Sequence, residues 1–208
     1  MNTTVLTHPL LQHKLSMLRT KSTSTALFRS LVEEIGLLLA MEAMSNLRVE
    51  SARIDTPLEA CDGWKLGGPD PVLVPVLRAG LGLLPPFLRL VPMAKVGHLG
   101  LSRDHQTLLP KAYYRNFPPA METRQAYILD PMLATGGSAA EAVRQVMEAG
   151  STDVTLACVL AAPEGIAHLR QIHPGIRIVA GAVDRQLNDR GYILPGLGDA
   201  GDRMYGTL

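Results

Sequence analysis

Hydrophobic positions along this 208-residue chain follow two patterns, and their alternation predicts the fold. Leu10, Leu11, Leu15 and Leu18 follow His8-Pro9, where proline suits a first helical turn, and predict a short amphipathic helix over residues 8–20. A longer helix starts near Ser24 or Thr25, with Leu27, Leu31, Ile35, Leu38 and Leu39 on one side and Arg29, Glu33 and Glu34 largely off it. After Met44 the pattern turns to alternation through Val49, Ala52 and Ile54, and Asp62-Gly63 supplies a turn before Trp64. A β-arm over residues 47–66 is predicted. Val72–Leu77, Ala126–Leu129, Val154–Ala162 and Ile176–Val183 are unbroken apolar runs too short for helices, so they read as buried strands, and Ala94–Leu101 as another. Between them LGLLPPFLRL suggests a helix, and Ala139, Ala142, Val143, Val146 and Met147 recur at helical spacing until Gly150. A further helix runs from Pro163 to His173, where Pro174-Gly175 ends it. Buried strands alternating with helices predict an α/β fold: a parallel central sheet flanked by helices on both faces.

Composition narrows the function more by exclusion than by indication. A chain of this length buries roughly 70% of its unfolded surface and needs no covalent staples. Cys61 and Cys158 lie far apart in sequence and read as buried free thiols of a reducing compartment. A formal charge of +1 with 19% charged residues gives no electrostatic footprint for nucleic acid. No stretch of eighteen apolar residues exists, and MNTTVLTHPL lacks the regions of a secretory signal, so the expectation is a cytoplasmic protein without membrane attachment. His8 and His13, like His168 and His173, are five residues apart and point about 140° apart on a helix, which argues against metal held by histidine.

Three stretches carry chemistry. In AYILDPMLATGGSAAEAVRQVMEAG, residues 126–150, an acid at a strand end is followed by a small-residue loop and a helix start. Thr135, Gly136, Gly137 and Ser138 offer hydroxyls and unshielded N–H groups at the positive end of that helix, an arrangement that suits phosphate. Ser138 with Glu141 spells an ordinary capping box equally well. Asp130 would repel phosphate but accept hydrogen bonds from sugar hydroxyls. Val72–Leu77 delivers Arg78 to the carboxyl edge of the sheet, where open parallel sheets bind ligands; a surface arginine ahead of a helix is the other reading. Ser102 to Tyr113 is polar without periodicity and forms a candidate lid, in which Arg103 could make two parallel bonds to a phosphate; Tyr113 and Tyr114 read as packing residues. Near the carboxyl terminus Gly196, Gly198 and Gly201 spell GxGxxG, but Pro195 precedes the motif and only seven residues follow it. That leaves no room for a dinucleotide unit, and a plain glycine-rich turn is the alternative.

DPMLATGGS resembles the ribose-phosphate loop of the phosphoribosyltransferases, specifically of the uracil phosphoribosyltransferases, because Pro131 stands where the wider superfamily has a second acid. VLVPVLRAGLG resembles the same family's pyrophosphate-side motif, and GYILPGLGDAGDRMYGTL its uracil-binding tail. The resemblance runs from HPL near the start to GDAGDRMYGT at the end. It implies one phosphoribosyltransferase domain over residues 1–208, with helices and β-arm over about 1–66, the arm packing on a second subunit, and a uracil-binding segment over about 184–208. It implies pyrimidine salvage: uracil plus phosphoribosyl pyrophosphate giving UMP and pyrophosphate. Carried over residue by residue, the donor would contact Arg78, Arg103, Asp130, Pro131, Met132, Leu133, Ala134, Thr135, Gly136, Gly137, Ser138 and Asp199. Uracil would contact Ile193, Gly198, Asp199 and Ala200, and Asp199, Arg78 and Arg103 would stand nearest the chemistry. No metal site on the protein is implied; Mg²⁺ would arrive on the pyrophosphate. The resemblance also brings GTP as an allosteric activator and a homodimer or higher homo-oligomer. Two departures, Ser102 for an aromatic residue and Leu109 for an acid before Pro110, bear on lid closure and on nucleotide regulation. A purine enzyme on the same fold and an RNA-binding regulator, which would need a basic face, are the alternatives.

Overall fold

The computed structural model describes residues 3–103, apart from the Arg103 side chain, and residues 110–207. Strand β1 (Thr3–Val5) leads into helices α1 (Pro9–Arg19) and α2 (Thr25–Ala43), then into a hairpin of β2 (Val49–Asp55) and β3 (Ala60–Leu66). Next come β4 (Val72–Leu77), a 3-10 turn over Ala79–Leu83, α3 (Leu84–Leu90), β5 (Lys95–Val96), β6 (His98–Arg103) and β7 (Pro110–Asn116). The remainder is β8 (Ala126–Leu129), β9 (Met132–Leu133), α4 (Gly137–Glu148), β10 (Val154–Ala161), α5 (Pro163–Ile172), β11 (Arg177–Val183), β12 (Gln186–Leu187), β13 (Ile193–Leu194) and α6 (Ala200–Tyr205).

The main sheet has the order β1-β11-β10-β8-β4-β6-β7, parallel throughout except for the antiparallel β6–β7 edge. Both faces are covered, and adjacent strand residues divide between two cores with the period of two that a strand imposes. Leu73, Tyr127, Ala157 and Val179 face α1, α2, α3 and α6, while Val74, Ile128, Cys158 and Ile178 face α4 and α5. This explains why the inner strands read as unbroken apolar runs. Because β4, β8, β10 and β11 run parallel, Arg78, Asp130, Ala162 and Asp184 follow their carboxyl ends along one rim.

Several expectations are corrected. In α2 the buried seam is Phe28, Leu31, Val32, Ile35 and Leu39; Leu27 is exposed, because the seam runs one residue further round the helix. The arm turns at Thr56–Glu59, where Thr56 and Glu59 bond to each other, and not at Asp62-Gly63. Asp62 instead sits opposite Arg53 in the ladder and pairs with its guanidinium at 3.2 Å. Cys61 is only partly covered there, whereas Cys158 is buried, and both are free thiols. The strand expected over residues 94–101 divides into β5 and β6. The candidate lid is largely strand at both ends, and Tyr113 and Tyr114 are exposed in β7, with the Tyr113 ring lying over Gly100. Asp104 to Leu109, including the departure at Leu109, lie outside the described residues.

Candidate active site

The site is built where the rim of the parallel sheet meets the carboxyl-terminal tail. Strand β8, buried at every position, ends at Leu129 and delivers Asp130 to the floor of a cleft of about 370 Å³. Burial pushes the Asp130 carboxyl up to about 6, against the opposing pull of the Met132 N–H, which donates to Oδ1 at 3.3 Å. The chain then pairs with β10 as β9, so that Met132 and Ala134 line the cleft while the Leu133 side chain enters the core. Pro131 accepts the N–H groups of Val159 and Leu160, and so lies against β10.

Beyond β9 the loop turns into α4. Gly136 has φ +84°, and a Cβ there would stand 2.7 Å from the Gly165 carbonyl oxygen, so the turn admits glycine alone. The capping box expected from Ser138 and Glu141 does not form. No side chain caps α4, and Glu141 instead accepts from Arg144 and Gln145. The first turn therefore presents backbone N–H groups and the exposed Ser138 hydroxyl at the positive helix end, with the exposed Thr135 beside it. Glu141 is held below the usual carboxylate range by the Arg144 hydrogen bond, which keeps its charge on the helix flank.

Arg78 follows β4 through a cis Leu77–Arg78 peptide and is exposed. It does not point freely into the cleft. Its Nη2 donates to Asp202 Oδ1 at 3.4 Å, its guanidinium lies 5.9 Å from the Tyr205 ring centre, and its carbonyl accepts the Tyr205 hydroxyl at 3.1 Å. The arginine is thereby tied to α6, and the neighbouring Ala79 lines the cleft. Arg103 ends β6, and its side chain lies outside the described residues.

The tail closes the other wall. Ile193, Gly198, Asp199, Ala200 and Gly201 all line the same cleft as Asp130. Asp199 caps α6, accepting the Asp202 N–H on Oδ1 at 2.9 Å, and stays exposed. Gly201 is therefore a residue of α6 and not a phosphate-loop glycine. A Cβ on Gly191 would meet the Thr135 methyl at 3.3 Å, so the loop before α4 and the tail hairpin share a border.

Sequence reasoning missed part of this wall. Arg190 and Tyr192 also line the cleft, presented by a β12–β13 hairpin whose turn Asn188 organises by accepting the N–H groups of Arg190 and Tyr192. Asn188 followed three residues later by Gly191 was the available signal. Also missed was Asp184, an acid directly after a buried strand just as Asp130 is. Among the described residues no group of three or more His, Cys, Asp or Glu could hold a metal ion, and no helix is long and apolar enough to cross a membrane.

Comparison with known proteins is consistent along the whole chain. A family model described as uracil phosphoribosyltransferase matches residues 5–207. The uracil phosphoribosyltransferase of Thermus thermophilus is 49% identical over 207 residues, covering 100% of both chains, and that of Deinococcus radiodurans is 51% identical over 98% of this chain and 97% of its own. A solved protein from Aquifex aeolicus superposes with a TM-score of 0.91 at 39% identity, covering 98% of this chain and 97% of that one. A hypoxanthine-guanine phosphoribosyltransferase from Bacillus anthracis, at 10% identity and a TM-score of 0.51 over 76% of this chain and 80% of its own, shares the fold alone.

Proposed function

The chain belongs to the uracil phosphoribosyltransferase family, and from that premise we propose which of its residues carry each part of the reaction. It is a glycosyltransferase that moves the phosphoribosyl group of 5-phospho-α-D-ribose 1-diphosphate to uracil, giving UMP and diphosphate. The uracil N1–C1′ bond forms as the C1′–O bond to diphosphate breaks, through a cationic sugar like that of glycoside hydrolysis, and the N1 proton must leave. The observation that carries the reading is one cleft holding both Asp130 and the Gly198–Gly201 turn.

The loop from Asp130 to Ser138 takes the ribose 5-phosphate. Thr135 and the N–H groups of Gly136, Gly137 and Ser138 meet the phosphate, Asp130 accepts from the ribose hydroxyls, and Pro131, Met132, Leu133 and Ala134 shape the connecting turn. Arg78 and Arg103 draw charge from the departing diphosphate, a role supported for Arg78 by its place at the carboxyl end of β4. Ile193, Gly198 and Ala200 offer main-chain groups to the alternating N–H and C=O edge of uracil. Cytosine would leave one buried partner unpaired, at a cost of about 1–3 kcal/mol. Asp199, beside the base and the reacting carbon, orients or accepts the N1 proton.

Mg²⁺ belongs to the donor substrate. Two carboxylates, Asp130 and Asp199, line the cleft, and such a donor set suits an ion that keeps most of its ligands as water and diphosphate oxygen. Bound there, it offsets diphosphate charge. The reading extends to a cytoplasmic homo-oligomer, supported by the exposed arm, and to GTP activation, supported by family resemblance alone. UMP formation from labelled bases tests the core of it. Turnover of uracil well above cytosine, hypoxanthine and guanine is expected; turnover of a purine in preference would overturn it, and tight binding of pyrimidine-operon leader RNA without UMP formation would favour the regulator.

A further inference from the structure

Asp184 stands one residue beyond β11, on the same rim as Asp130, yet it does not line the cleft. Its side chain is 5% exposed, and it faces Arg19, the last residue of α1, itself 22% exposed. The pair is bidentate, Nη1 to Oδ2 at 2.7 Å and Nη2 to Oδ1 at 2.5 Å. The same Nη1 donates to the Gly196 carbonyl at 2.8 Å, and the Gly196 N–H donates to Asp184 Oδ2 at 2.9 Å. One ion pair thus holds both backbone groups of one glycine.

That glycine lies between the two parts of the tail that reach the cleft, Ile193 before it and Gly198–Gly201 after it. With φ +64°, and with a would-be Cβ 2.1 Å from the Ile193 carbonyl oxygen, Gly196 folds back on β13. A second arginine secures the next residue. Arg203 donates from Nη1 to the Leu197 carbonyl at 2.8 Å and from Nη2 to the Thr20 carbonyl at 2.7 Å, with its guanidinium 4.6 Å from the Phe28 ring centre. Gly196 and Leu197 are therefore anchored from behind to the end of α1.

Stability alone does not require such a device, since a packed apolar pair commonly serves a buried position as well as an ion pair does. What the ion pair adds is directional: a planar fork and a carboxylate fix a peptide plane that apolar contacts would leave free to rotate. Recognition of a base by main-chain groups depends on that orientation, because no side chain can adjust for a misplaced peptide. We infer that Arg19 and Asp184 are positioning residues for the base: through Gly196 they hold the Gly198–Ala200 main chain in register with the uracil edge. The inference rests on the uracil reading of the cleft.

Arg19→Gln and Asp184→Asn test it, together with the double apolar replacement Arg19→Met/Asp184→Leu, which keeps the volume without the charges. In each, KM for uracil is expected to rise by about tenfold or more, while KM for the phosphoribosyl donor stays within about threefold. Amide hydrogen exchange of residues 186–201 is expected to quicken by about tenfold or more with residues 126–148 unchanged. The double replacement is expected to recover thermal stability but not uracil KM. An unchanged uracil KM, an equal loss for both substrates, or recovery of uracil KM together with stability in the double replacement would overturn the assignment. Should the unaltered protein form no UMP, the substrate reading falls, and the exchange measurement still decides whether the pair orders the tail.

Discussion

Asp199 has two jobs that substitutions can separate. Its carboxylate faces the cleft, and the same side chain caps α6 by accepting the Asp202 N–H. Asparagine caps a helix about as well as aspartate, whereas alanine forfeits about 1 kcal/mol. Both Asp199→Asn and Asp199→Ala are therefore expected to lower kcat by about 10²- to 10⁴-fold, the range of one acid–base group. Only Asp199→Ala should also lower the urea midpoint; an Asp199→Asn enzyme with unaltered turnover would remove the acid from the reaction. Asp130 carries the opposite burden. Its carboxyl, raised by burial from 3.8 to about 6, keeps a proton in the folded protein that the unfolded chain releases between those values. Stability is consequently lost as pH rises through that window. Asp130→Asn should unfold at higher urea than the unaltered protein at pH 7.5, by about 3 kcal/mol, with the difference gone below pH 4, while use of the phosphoribosyl donor falls. A variant less stable at pH 7.5 would mean that Asp130 earns its place through bonds in the fold and not through the substrate.

At the scale of elements, legibility followed from how local the signal was. Val72–Leu77 and Ala126–Leu129 have the boundaries read from sequence because burial on both faces leaves an unbroken apolar run between polar ends. The loop after β8 and the tail stood out in the sequence because each packs its chemistry into fewer than a dozen neighbouring residues, and residues of both line one cleft. Strand β1 was not readable: Thr3–Val5 is three residues long, partly exposed, and exists only because β11 offers it an edge. The Thr56–Glu59 turn lost to Asp62-Gly63 because the dipeptide is the stronger turn signal; the Thr56–Glu59 bonds and the pairing of Arg53 with Asp62 across the ladder show otherwise. The alternative capping box of Ser138 with Glu141 fails because Gly136 is the N-cap and Ser138 already lies inside α4, where Glu141 turns to Arg144. Arg19 and Asp184 are 165 residues apart, and a polar pair at that separation leaves no period behind.

At the scale of the whole molecule, the arm is the part that a single chain does not account for. No residue of β2 or β3 is buried, and Val49, Ile54, Leu58 and Trp64 are all exposed, Leu58 at 96% and Trp64 at 75%. A lone two-stranded hairpin is marginal in water, and here it spends its apolar residues on solvent instead of on the core. Its ladder pairs, Arg53 with Asp62 and Lys65 with Glu50, are exposed ion pairs that add little. The surface therefore calls for a cover, and a second copy of the chain is the cover the family reading supplies. Sedimentation equilibrium should give a mass above that of one chain, and Trp64, the sole tryptophan, should emit in the blue when assembled. Trp64→Lys should weaken assembly by about thirtyfold or more, as loss of an aromatic anchor does, and make the melting temperature depend on protein concentration. A monomer at every concentration, with Trp64 emitting as in water, would leave the arm without a partner copy. The cleft itself would be untouched by that outcome, since Asp130, Met132, Ala134 and the tail line it without any residue of the arm.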